Sequence, residues 1–142
     1  MTTTEYRKPL PRIHDPRSRP YWEAAKRHEL RMQRCPKCGY VRFPPGRYCP
    51  ECLEASDTWI TLSGRGTVWS FGIYDHVFNQ AFNDDIPYNV ALVELEEGPR
   101  LITNIVGIPN EAIAIGMPVE VAFDDVTDEV TLVKFRPRSA SA

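Results

Sequence analysis

No apolar run in these 142 residues exceeds strand length. The longest are pieces such as Val90-Ala91-Leu92-Val93, far short of the roughly 20 residues that a transmembrane helix needs. The pattern therefore predicts a protein with no membrane span. Histidines are few and scattered, at positions 14, 28 and 76. No Gly-x-Ser-x-Gly, P-loop or Gly-x-Gly-x-x-Gly pattern occurs, so the usual signatures of acyl transfer and nucleotide binding are missing. Asp75 and His76 adjoin near a strand end, but neighbours on a strand point to opposite faces, so the acid is badly placed to orient the base. No catalytic residue is assigned. Met1-Thr2-Thr3-Thr4-Glu5 carries no charged-then-apolar leader, and a cytoplasmic protein is expected.

Cysteine is equally scarce, and all four copies fall in two Cys-x-x-Cys pairs, Cys35/Cys38 and Cys49/Cys52. Each pair can fold as a knuckle that offers two thiolates, and two knuckles close a tetrahedral four-thiolate site. The Pro44-Pro45-Gly46 segment between the pairs forbids the helix that a thioredoxin-like motif requires. Iron accepts the same ligand set, so ligand type alone leaves both ions open. One structural Zn²⁺ per chain is the economical reading in a reducing compartment. Such a site has no open position, so its ion cannot activate water.

Charge is divided along the chain. Residues 1–50 hold twelve Lys and Arg against four Asp and Glu, a balance of +8, whereas residues 51–142 stand at −10. Arg34, Lys37, Arg42 and Arg47 lie in or beside the cysteine segment and can meet phosphate or an acidic partner surface. Phe43, Tyr48 and Trp69 can line an apolar channel beside them. For Trp69 a place in the core is favoured, because Thr67, Trp69, Phe71 and Ile73 share one bulky face by strand alternation.

Three segments follow. Residues 1–29 form a proline-broken arm and a short helix from Arg19 to about His28, with Ser18 as cap and Trp22, Ala25 and Lys26 on its packed face. Residues 30–58 form the metal ribbon, entered by a strand at Leu30 to Arg34. Residues 59–142 are all-β and end in a basic tail. Trp59 to Leu62 opens the first strand, which goes on past Gly64 and Gly66 through Thr67–His76, and four more follow at Tyr88–Glu96, Arg100–Val106, Val119–Phe123 and Val130–Phe135. Gly72 is expected to mark a bulge or bend. The main non-hairpin connection follows the Arg100 strand, which fits a small five-stranded Greek-key barrel of the OB type. The fold class is mainly β: helical arm, zinc ribbon, OB barrel.

Trp22-Glu23-Ala24-Ala25, Gln33-Arg34-Cys35, Phe43-Pro44-Pro45, Gly64-Arg65-Gly66-Thr67-Val68, Glu97-Gly98-Pro99-Arg100 and Gly116-Met117-Pro118-Val119-Glu120-Val121 occur in that order. Together they resemble the zinc-ribbon plus OB-fold family of acyl-CoA-associated proteins. The resemblance implies a rubredoxin-like ribbon and a small accessory subunit of a thiolase-fold enzyme, either a thiolase or a side-chain-shortening aldolase. It implies a hetero-oligomer that holds a CoA thioester at its shared interface. The rival reading is a single-stranded nucleic-acid module, since ribbons and OB barrels both serve there. The aliphatic second and third barrel strands and the −10 balance of their half disfavour it.

Overall fold

The computed structural model describes residues 6–138. The leader expectation at Met1–Glu5 lies outside them. Among the described residues no helix is long and apolar enough to cross a membrane.

Helix α1 (Arg19–Lys26) begins with Pro20 in its first turn, where a missing N–H costs nothing. Ser18 does not cap it through its hydroxyl. Its carbonyl accepts the Tyr21 and Trp22 amides instead, while the Asp15 carbonyl accepts those of Ser18 and Arg19. The packed face is also rotated from the expected one: Tyr21, Ala24 and Ala25 are buried, and Trp22 is only half-buried. Two alanines let the helix approach closely, and Tyr21 fills the contact with Trp22 and Phe43, both at ring separations of 5.0 Å. The helix stops with His28 in the left-handed region at φ 62°. There the Glu29 amide reaches the Ala24 carbonyl and the His28 amide the Ala25 carbonyl, a Schellman ending that usually employs glycine.

Three short strands make the ribbon sheet: β1 (Arg31–Arg34), β2 (Val41–Arg42) and β3 (Trp59–Thr61), in the order β2-β1-β3. The strand read from sequence as opening the barrel is thus paired with β1, in the register Arg31↔Thr61 to Gln33↔Trp59. The Leu62 amide continues this seam to the Leu30 carbonyl.

The second sheet holds β4 (Arg65–Tyr74), β5 (Tyr88–Leu95), β6 (Arg100–Thr103), β7 (Pro118–Asp125) and β8 (Thr131–Pro137), ordered β6-β5-β4-β7-β8. It curls into a half-barrel. Its two edges touch at a parallel bridge between Ile105 and Phe135, where the Val106 amide donates to the Phe135 carbonyl and the Phe135 amide to that of Asn104. Along β5 burial alternates strictly, with Asn89, Ala91, Val93 and Leu95 facing inward. Gly66 on β4 is required by contact: a Cβ there would lie 2.5 Å from the Glu94 carbonyl oxygen.

The bulge in β4 falls between Val68 and Ser70, at Trp69, and not at Gly72. One extra residue reverses the faces. Ahead of the bulge Val68 faces inward and is fully buried; beyond it Phe71 packs against the core, while Trp69 is 47% exposed and does not belong to the core. A single apolar cluster runs from Tyr21, Leu30 and Met32 through Leu62 to Val68, Val93, Val119 and Phe135.

Candidate metal centre and partner surface

Both knuckles are built by the same hydrogen bonds. In the first, the Cys35 amide donates to the Tyr40 carbonyl and the Gly39 amide to the Cys35 carbonyl; in the second, Cys49 pairs with Glu54 and Leu53 with Cys49. The turn needs a left-handed residue after its second cysteine, supplied by Gly39 at φ 81° and by Leu53 at φ 64°. Leucine is an unusual occupant of such a position, and only the repeated Cys-x-x-Cys spacing marks Leu53 as the counterpart of Gly39.

The four sulfurs lie within 4.8 Å of one another. Cys35 Sγ is 3.5 Å from Cys52 Sγ, and Cys38 Sγ is 3.5 Å from Cys49 Sγ. A tetrahedron with metal–sulfur bonds near 2.3 Å places its sulfurs about 3.8 Å apart, so the donor set fits one tetrahedral ion. Cys35 and Cys49 are fully buried and Cys38 is exposed. The Cys38 amide holds the Cys35 thiol down to about 6. At Cys52 the Glu54 amide favours the thiolate, but burial and the neighbouring sulfurs outweigh it and push the thiol up to about 12. Four thiolates so crowded can coexist only against a cation, which is the chemistry of a metal site. With all four positions taken by sulfur, the ion is structural.

The other residues expected at a ligand surface are dispersed. Arg34, Lys37, Arg47 and Tyr48 are exposed on the ribbon, with the Arg47 guanidinium 5.7 Å from the Tyr48 ring centre. Arg42 is not on the surface: it is 5% exposed, and its Nη2 donates to the carbonyls of Gly46 and Ser56 at 3.0 and 2.9 Å. Turning inward to bind these turn carbonyls removes it from any exposed cluster. Phe43 is half-buried against Tyr21. Trp69 lies on the outer face of the half-barrel, its ring covered by the Arg100 guanidinium at 4.0 Å, which in turn donates to Glu94.

Two groupings were not foreseen from sequence. His28 Nε2 sits 2.9 Å from Asp125 Oδ2, with its ring stacked on Phe123. The Thr131 hydroxyl donates to the same carboxylate and, ahead of His28, holds Asp125 below the usual carboxylate range. Asn89, 7% exposed, acts as a polar hub inside the half-barrel. His76 remains exposed, edge-on to Phe78.

Residues 22–58 match the family model described as "ChsH2, rubredoxin-like zinc ribbon domain", and residues 59–124 match "ChsH2, C-terminal OB-fold domain". The chain belongs to this zinc-ribbon and OB-fold family. A "Probable enoyl-CoA hydratase alpha subunit" of Thermomonospora curvata is 45% identical over 131 residues, covering 92% of this chain and 40% of that protein. The chain thus spans about two fifths of that relative's length. A "DUF35 domain-containing scaffold protein" of Methanocaldococcus jannaschii is 38% identical, with 68% of each chain covered. The Thauera aromatica "Benzoylsuccinyl-CoA thiolase subunit BbsA" is 34% identical over 56% of this chain and 54% of its own length. Among solved structures, a chain of the "Ltp2-ChsH2(DUF35) aldolase" superposes with a TM-score of 0.77 at 42% identity, covering 89% of this chain and 98% of that one. The relatives named are thus a scaffold protein, subunits of a hydratase and of a thiolase, and a chain of an aldolase.

Proposed function

We propose that this chain is a non-catalytic accessory subunit. It docks onto a thiolase-fold enzyme that acts on acyl-CoA thioesters of lipid, steroid or aromatic acids, and it helps to position and enclose the thioester at the shared interface. The observation that carries the reading is the likeness to the aldolase chain over 98% of that chain's length. The metal supports it, because a closed four-thiolate ion stiffens a surface and leaves chemistry to another subunit. Enclosure of this kind accelerates a reaction by fixing geometry, without adding a reacting group. Four cysteines outside any disulfide, gathered as metal donors, suit a reducing compartment such as the cytoplasm.

Single-stranded nucleic-acid binding is disfavoured. The outer-face aromatic that a base would stack on, Trp69, is already occupied by Arg100. Affinity purification from the native host tests the reading. An acyl-CoA-processing enzyme should co-purify in a fixed ratio, and CoA esters, but not oligonucleotides, should protect the complex against heat. Recovery of nucleic acid without any such enzyme would overturn it.

A further inference from the structure

The half-barrel turns apolar side chains outward as well as inward. Cross-strand partners in a sheet share a face, so Ile102, Leu92 and Ser70 lie in one row, Val90 and Gly72 in the next, and Tyr88 and Tyr74 in a third. All three rows face outward, because Asn89, Ala91, Val93 and Leu95 are the inward residues of β5. Trp69, turned out at the bulge, adds its ring to this face beside Arg100. A Cβ at Gly72 would lie 3.2 Å from the Tyr74 ring, so that ring spreads across Gly72 and stacks on Tyr88 at 5.6 Å. Ile102, on the edge strand β6, is 73% exposed. Contiguous apolar surface of this kind marks a contact site.

Charge on this face is uneven. At one end Arg100 and Glu94 neutralise each other as an ion pair. The other end is bordered by residues 75–87, which join β4 to β5 and bring the Phe82 ring to 6.2 Å from that of Tyr88. This segment contains Asp75, Asp84 and Asp85 and no Lys or Arg. Lys8 of the arm pairs with Asp85. Asp75 and Asp84 are exposed and have no ion pair among the described residues. The same segment holds Phe78 out into solvent, 90% exposed.

We infer that the outer face of β4, β5 and β6 is the seat of the enzyme partner, which meets it with an apolar patch bordered by Lys and Arg. The acidic border decides among occupants. A two-fold contact between copies of this chain sets the patch against itself and brings like-charged borders together. Phosphate backbones and anionic lipid surfaces are repelled in the same way. A protein with basic residues around an apolar patch gains from both parts of the surface. Ile102 and Trp69 supply a centre that is desolvated on contact, and Asp75 and Asp84 steer the approach. This seat presupposes the docking proposed above and places it on the barrel, not on the exposed ribbon residues Arg34, Lys37 and Arg47.

The test uses the zinc-loaded full chain and the acyl-CoA-processing enzyme that co-purifies with it, isolated separately and titrated by biolayer interferometry. Ile102→Arg and Phe78→Ser change exposed positions and should leave zinc content and Tm unchanged. Each should weaken the complex by about tenfold or more. Asp75→Lys combined with Asp84→Lys should slow association by about tenfold at low salt, and the difference should shrink as salt rises. Leu53→Arg and Lys37→Glu, both exposed on the ribbon, are the controls and should stay within about twofold. Full affinity in both Ile102→Arg and Phe78→Ser, or losses confined to the ribbon variants, would overturn the seat and leave the docking reading standing. A parent chain that recovered no such enzyme would overturn both. Sedimentation equilibrium of the chain alone and titration with single-stranded oligonucleotides cover the rival occupants. A dimer that Ile102→Arg dissociates would give the face to a second copy, and oligonucleotide binding that Phe78→Ser abolishes would give it to nucleic acid, either of which overturns the seat.

Discussion

Replacing Asn89 with leucine removes the polar hub that holds the two edges of the half-barrel in position. The Asn89 carboxamide treats Ile105 as a strand partner would: Oδ1 accepts the Ile105 amide at 2.7 Å, and Nδ2 donates to the Ile105 carbonyl at 2.9 Å. Nδ2 also reaches Asn110 Oδ1. Ile105 is 3% exposed and forms the bridge to Phe135. Leucine leaves the Ile105 amide and carbonyl buried without partners, at about 1–3 kcal/mol each. Its larger apolar side chain returns about 1–2 kcal/mol. At the middle of these ranges the net loss is about 2–3 kcal/mol, a large part of the stability of a domain this size. Urea unfolding of the zinc-saturated chain, followed by tryptophan fluorescence, measures the loss, and amide exchange at Ile105 and Val106 localises it.

Asn89→Asp separates hydrogen bonding from shape. It keeps the acceptor for the Ile105 amide but turns a carboxylate toward the Ile105 carbonyl and Asn110 Oδ1. The variant should be destabilised at neutral pH and should recover part of the loss under acid, when the protonated carboxyl becomes a donor. If Asn89→Leu cost less than 1 kcal/mol with unchanged protection at Ile105, the closure attributed to this side chain would be refuted.

Metal removal is expected to act on the ribbon first: chelation, or Cys35→Ser, should abolish zinc stoichiometry and amide protection in β1 and β3, since such sites supply on the order of 10–16 kcal/mol of apparent folding free energy. A variant that kept one zinc and its partner complex would contradict the assignment. Leu53→Gly should stabilise the chain by about 0.5–1 kcal/mol, because a left-handed residue with a Cβ costs about 1–2 kcal/mol, glycine returns part of that in chain entropy, and the side chain is 75% exposed; denaturant midpoints decide it. Gly66→Ala should cost about 2–3 kcal/mol by forcing β4 from the Glu94 carbonyl, read as a lowered Tm at constant zinc content. Asp125 has a depressed pKa from Thr131 and then His28, so its contribution is present above the ordinary carboxylate value near pH 4 and is lost as pH falls through the folded value. Asp125→Asn should therefore differ from the parent near neutrality and converge with it in acid, in parallel urea titrations.

The metal site was readable because both pairs of ligands are local, and four like residues at repeated spacing leave little to tertiary context. The strict alternation of β5 was equally readable. Trp69 was not, since the bulge interrupts the alternation between it and Phe71 and leaves the two on different faces. Arg42 was misplaced for a different reason: its side chain follows carbonyls at Gly46 and Ser56, and the latter lies 14 residues away along the chain. The pairing of His28 with Asp125 spans 97 residues and leaves no periodic trace. Asn89 did leave one, as a polar residue at an inward position of an otherwise apolar strand.

Ribbon and half-barrel are mechanically one body despite their different architectures. Strand β3 is hydrogen-bonded to β1 on the ribbon side and leads through Leu62 into the shared apolar cluster. Helix α1 buries Tyr21 in that cluster, and its C-terminal His28 grips Asp125 at the end of β7. A partner that touched both modules would therefore meet surfaces already fixed relative to each other and would lose little entropy in aligning them. The same coupling has a measurable consequence. Ribbon opening after chelation should weaken amide protection next to Met32 and Leu62 and leave it intact at the distant Ile105–Phe135 bridge. Uniform loss across β4 to β8 would mean that the half-barrel has no stability of its own, and no loss beyond β1 to β3 would mean that the shared cluster transmits nothing.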